Sequence, residues 1–154
     1  MKAMDKIGLV LCKFQANLFE HASKQNASSK LFIKKFSYSS LAKRIDSGGR
    51  FLFESIDVPQ AFSEVISAID IFKGRVFANR IMSWIGYIYR YICYIYEVPM
   101  ASVYKKIKPQ ELFDVYTSYH SLDNELAIKR ILEAKNISFE RKDNIELLKE
   151  IYLL

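Results

Sequence analysis

The sequence predicts an all-α fold, a compact single-domain bundle of about eight helices with one short strand-like segment. Three observations predict it. Apolar residues recur at spacings of three and four along most of the chain, the signature of helices with one buried stripe. Helix-start residues stand just ahead of these stripes, among them Asp57 before Pro59, Pro109 before Glu111, and Asp123. Turn residues are scarce, five Gly and three Pro in 154 residues, so the connections are few and short.

The elements follow in order. Ile7, Leu11, Phe14, Leu18 and Ala22 form one stripe, which predicts a first helix over Met4 to Lys24. Asn26, Ser28 and Ser29 break it. Ser29 then caps a short second helix with Phe32, Ile33 and Phe36 inward and Lys30, Lys34 and Lys35 outward. A third helix is predicted over Ser39 to Ile45, stopped by Ser47-Gly48-Gly49. Phe51-Leu52-Phe53-Glu54 reads equally as a strand or a helix edge. Asp57 caps a fourth helix, with Pro59 in its first turn and Phe62, Val65, Ile66 and Ile69 as its stripe.

Residues 78–97 are the contested segment. Trp84 to Tyr96 is rich in aromatic and β-branched residues, which suits a strand. The run is long and has no internal turn, which suits a buried helix, and helix is the preferred reading. Pro99 opens a helix to about Ile107. Pro109 opens the next, with Leu112, Val115, Tyr116 and Tyr119 inside. Asp123 caps another, with stripe Ala127, Ile128, Ile131 and Leu132, and Asp143-Asn144-Ile145-Glu146 is a capping box for a last helix.

The net charge is +6, and its distribution is uneven. Residues 1–50 hold ten basic and three acidic side chains, and the rest of the chain is close to neutral. A basic lobe attracts nucleic acid or an acidic partner. Lys34, Lys35, Lys43, Arg44 and Arg50 are the candidate phosphate contacts, with Phe32, Phe36 and Tyr38 as stacking rings. The competing reading is a solvated helix face over a Phe-rich core. Cys12 and Cys93 have neither a Cys-x-x-Cys nor a zinc-like spacing, which predicts two buried free thiols in a cytoplasmic protein. Ile7 to Cys12 is too short for a leader, and Ile81 to Ile95 falls short of the roughly 20 residues of a spanning helix, so no membrane partner is expected.

No catalytic or metal-binding constellation is visible, and neither a cofactor nor an enzymatic role is expected. His120 lies near Asp123, a spacing that serves a general base and its orienting carboxylate, or simply a helix corner with a cap. The corner is the preferred reading. Arg90 interrupts the most apolar segment and needs a partner, for which Glu97, Glu111 and Asp123 are the candidates. Its other reading is a charged anchor on an aromatic binding face.

Several segments together carry a resemblance. They are Phe32-Ile33-Lys34-Lys35-Phe36, Phe51-Leu52-Phe53-Glu54, Gly86-Tyr87-Ile88-Tyr89-Arg90-Tyr91, and Tyr104 through Leu112. Tyr119-His120-Ser121-Leu122-Asp123 and Ala127-Ile128-Lys129-Arg130-Ile131 complete the set. In these, over most of residues 10–131, the chain resembles a family of small bacterial proteins without assigned activity, often encoded beside an ADP-ribosyltransferase-like toxin. The resemblance implies an antitoxin-like protein that binds a cognate toxin, and it supplies no catalytic residue. Trp84, Tyr87, Tyr89, Arg90 and Tyr91, around Tyr119, His120 and Asp123, are then the expected partner-binding residues. A nucleic-acid-binding regulator, with DNA or RNA as partner, is the alternative. A homo-oligomer is compatible with either.

Overall fold

The computed structural model describes residues 1–66 and 71–139, and over these residues the chain forms helices and no strand. Helix α1 spans Lys6–Lys24, α2 Ser29–Ser37, α3 Ser40–Asp46 and α4 Val58–Ile66. After these come α5 (Asn79–Tyr96), α6 (Met100–Lys106), α7 (Pro109–Tyr119) and α8 (Asn124–Ala134). The expected box at Asp143, and Ile69 of the fourth stripe, lie outside the described residues.

The caps explain most of the boundaries. The Asp5 carboxylate accepts from the Gly8 N–H at 2.9 Å, so α1 begins two residues later than its stripe suggested. Ser39 caps α3, accepting from Ala42 N–H at 3.0 Å, and Asp57, the expected cap of α4, accepts from Gln60 N–H at 2.8 Å. Ser28 rather than Ser29 occupies the cap position of α2. The Ser29 hydroxyl instead accepts from the Phe77 N–H at 2.8 Å, a long-range bond that anchors the segment before α5.

Phe51-Leu52-Phe53-Glu54 is not a strand but the end of a short helix. It ends a 3-10 segment, Gly48–Glu54, which begins at Gly48 with φ +72°, a backbone that glycine adopts without strain. Only Phe51 of its apolar residues is buried, against Phe14 at 5.1 Å between rings.

Helix α5 settles the contested segment as a helix. It packs along α1 more extensively than any other pair of elements. Gly86 permits the approach: a Cβ there would lie 2.7 Å from the Gln15 carbonyl oxygen. Around this pair sit α2, with Phe32, Ile33 and Phe36 fully buried, and α8, with Ala127, Ile128, Ile131 and Leu132 buried. Each such apolar side chain contributes about 1.5–3 kcal/mol by leaving water. The buried face of α1 is wider than the predicted stripe. Its inward face includes Gly8, Cys12, Gln15 and Phe19, whereas Ile7 is exposed.

Candidate partner-binding surface

The residues that the sequence singled out on α5 are mostly interior. Tyr89 is fully buried, and its hydroxyl donates to the Ile107 carbonyl at 2.6 Å. Burial holds that phenol protonated well above its ordinary range. Tyr91 is buried too, with its hydroxyl 3.3 Å from Glu125 Oε1. Tyr87 is half-buried beside Tyr91, and Trp84 is half-buried with its ring edge-on to Tyr116 at 5.6 Å. A helix covered on nearly every side does not offer Tyr89, Arg90 and Tyr91 to a partner.

Arg90, 2% exposed, holds the centre of a polar network. Its Nε donates to Gln15 Oε1 at 2.8 Å and its Nη1 to Asp46 Oδ1 at 2.6 Å. Asp46 also accepts from the Met100 N–H, at 3.2 and 3.3 Å. Gln15 Nε2 donates to the Gly86 carbonyl at 3.1 Å. The network ties α1, α3, α5 and the start of α6. The ion-pair partner is therefore none of the three expected carboxylates. Glu97 is exposed beyond the end of α5, Glu111 pairs with Lys135, and Asp123 caps α8. A cleft of about 520 Å³ reaches Arg90 and Asp46 beside α1, where these two are already bonded to each other.

The Tyr119-to-Asp123 corner is built from helix ends. The His120 ring lies flat on Tyr116, 4.3 Å between centroids, and its Nδ1 is 2.7 Å from the Tyr116 carbonyl oxygen. Asp123 Oδ2 accepts from the Glu125 and Leu126 N–H groups at 3.2 and 3.3 Å. Tyr119 is half-buried against the core. His120 and Asp123 are each committed locally, and no hydrogen bond joins them among the described residues. Nor, among those residues, do three His, Cys, Asp or Glu side chains gather as a metal site. Both cysteines are buried, and burial pushes each thiol up to about 12. No helix of the described residues is long and apolar enough to cross a membrane.

The basic candidates divide. Lys34 and Lys35 have no ion-pair partner among the described residues, and Lys43 and Arg50 are exposed. Arg44 is occupied: its Nε donates to Glu54 at 2.7 Å, and its Nη1 and Nη2 to Glu64 at 3.1 and 3.2 Å. These bonds, first to Glu64 and then to Glu54, raise the pKa of an already permanent charge. Phe32 and Phe36 are sealed in the core and cannot stack on bases, whereas Tyr38 is 47% exposed.

What the sequence reading missed is the apolar surface of the N-terminal half. Eleven large hydrophobic side chains are exposed among the described residues, and eight precede Glu54: Met1, Ile7, Leu9, Val10, Leu31, Tyr38, Leu52 and Phe53. Phe53 is 88% exposed. Ile7, Val10 and Phe14 share the face of α1 that meets the 3-10 segment, with exposed Lys6, Lys13 and Arg50 beside it. A second apolar feature is a groove of about 550 Å³ between α2 and α4, lined by Leu31, Lys34, Lys35, Tyr38, Val65 and Ile71, with Glu64 at its edge. A signal for it existed: Leu31, Lys34, Lys35 and Tyr38 sit at i, i+3, i+4 and i+7, a second stripe beside the buried one. No protein-family model matches the chain, and neither a curated protein nor a solved structure matches it.

Proposed function

We propose that this chain is an antitoxin-like protein-binding module that neutralises a cognate toxin by direct contact. One observation carries the reading: the N-terminal half bears both exposed apolar side chains and cations that have no ion partner among the described residues. Apolar patches rimmed by polar residues mark interaction sites on soluble proteins. The rim here is cationic, so the matching surface is apolar and acidic, and the charge accelerates encounter. The resemblance to proteins encoded beside ADP-ribosyltransferase-like toxins supplies the class of partner. Neutralisation then needs only occlusion of the toxin's site, and no reaction is assigned to this chain. The buried free thiols are compatible with a cytoplasmic setting.

The proposed binding residues change with this. Trp84 and Tyr87 stay partly accessible, while Tyr89, Arg90 and Tyr91 support the scaffold, and Tyr119, His120 and Asp123 shape a helix corner. Contact passes to Leu31, Tyr38, Val10 and Phe53. Co-expression with each adjacent gene product tests the proposal. Rescue of growth together with a co-purifying complex is expected for one of them. Growth arrest that this chain never relieves, with no complex recovered, overturns it.

The alternative, nucleic-acid binding, draws support from Lys34, Lys35, Lys43 and Arg50, none of which has an ion partner among the described residues. It requires an affinity that falls linearly with salt on logarithmic axes, because phosphate contacts release counterions. Against it stand the buried Phe32 and Phe36 and the neutralised Arg44. Self-association is the third option, and there the like-charged rims of two copies would repel.

A further inference from the structure

We infer that the groove between α2 and α4 docks an acidic, amphipathic helical segment of the partner, so this inference rests on the protein-binding reading. Its shape is fixed by interior bonds. The Ser28 N–H donates to the Ile71 carbonyl at 2.6 Å and the Ser29 N–H to the Arg75 carbonyl at 3.0 Å. These bonds hold Ile71 against the start of α2. Gly74, at φ +144°, passes so near Ser28 that a Cβ would lie 2.6 Å from its Oγ. The opposite wall is Val65 of α4, 4% exposed. The groove therefore runs between Val65 and Ile71 on one side and, on α2, the partly exposed Leu31 at 44% and Tyr38 at 47%.

Charge decides which occupant fits. Lys34 and Lys35 stand between Leu31 and Tyr38 on the same stripe and lack an ion partner among the described residues. Glu64 also lines the groove and is bonded to Arg44, a cation it shares with Glu54, so the two lysines leave the groove with a net positive charge. The groove thus offers two positive charges that have no ion partner among the described residues, above an apolar floor. An acidic ligand with apolar anchors complements both features.

Length decides its form. Leu31 to Tyr38 covers two turns of α2, about 10 Å. A docked helix presenting anchors at i, i+3 or i+4, and i+7 spans the same distance. Tyr38 is braced for contact, its ring edge-on to Tyr104 at 5.8 Å. Nucleic acid fits less well, since Tyr38 is the one accessible ring among Phe32, Phe36 and Tyr38 and the floor is aliphatic.

The test is selection of a random linear peptide library on the immobilised full chain, followed by titration of the selected peptides. The expected winners are acidic and amphipathic. The double variant Lys34→Glu/Lys35→Glu and the single variant Leu31→Ser should each weaken them at least about tenfold, with the melting curve of the protein unchanged. A peptide with its acidic residues exchanged for lysine should regain binding to the double variant, which a misfolded protein could not give. Failure to enrich any peptide, or winners that bind both variants as tightly as the wild type, overturns the inference. So does displacement of no selected peptide by the neutralised toxin. The co-expression assay separates the two claims. Rescue that survives Lys34→Glu/Lys35→Glu and Leu31→Ser removes the groove and leaves the antitoxin reading standing. Absence of any neutralised toxin, with acidic peptides still held at the groove, does the reverse.

Discussion

Arg90 shows how one residue organises its surroundings. A guanidinium taken out of water needs charge and hydrogen bonds; Asp46 supplies the charge, and Gln15 and Asp46 accept from its Nε and Nη1. Its demand for a partner was legible in the sequence. The partner was not, because Asp46 lies 44 positions away on another helix. Asp46→Ala leaves the arginine buried and unpaired, and the expected loss is about 3–5 kcal/mol in urea unfolding. A loss under about 1 kcal/mol would contradict the role given to the pair. Titration gives a second prediction. Burial raises Cys12 and Cys93 from 9.0 to about 12 in the folded chain. The folded state therefore keeps protons that the unfolded chain gives up. This contribution to stability is complete below pH 9 and declines as pH rises from about 9 toward 12. Urea midpoints measured across that range should fall, and both thiols should resist alkylation at pH 8 until denaturant is added. Fast labelling of the native protein would show that they are not interior.

At the scale of elements, the seam between α1 and α5 is the most tightly constrained. Gly86→Ala would set a Cβ 2.7 Å from the Gln15 carbonyl and 2.8 Å from Phe19 Cγ. The helices must part, and a cost of about 1–3 kcal/mol is expected in thermal unfolding. An unchanged or raised melting temperature would count against this packing. Helix stripes were legible wherever a cap and a period agreed, as at Asp57 for α4 and Asp123 for α8. The 3-10 segment was not, since four apolar-to-acidic residues carry no resolvable period. On α5 the type of element was legible from its length, but the destination of its rings was not. An aromatic helix reads alike whether its neighbours or a partner will cover it. Only the positions of α1, α6, α7 and α8 decide that Tyr89 and Tyr91 are interior.

Over the whole molecule, the asymmetry of charge in the sequence reappears as an asymmetry of surface. The C-terminal half of the described residues spends its distinctive groups on its own packing. The N-terminal half leaves Leu31, Tyr38, Val10 and Phe53 in solvent, with exposed lysines on the same helices α1 and α2. The basic lobe was legible from counting. The apolar residues that share it were not, because exposure depends on which stripes of α1 and α2 find neighbours. The central claim is that this half binds a toxin. Titration calorimetry between the purified chain and the purified product of the adjacent gene tests it most directly, at low and at high salt. The account predicts saturable binding that weakens with salt and is lost when Phe53 and Leu31 are replaced by serine. Absence of binding heat at either salt, or binding that those substitutions leave intact, would contradict it.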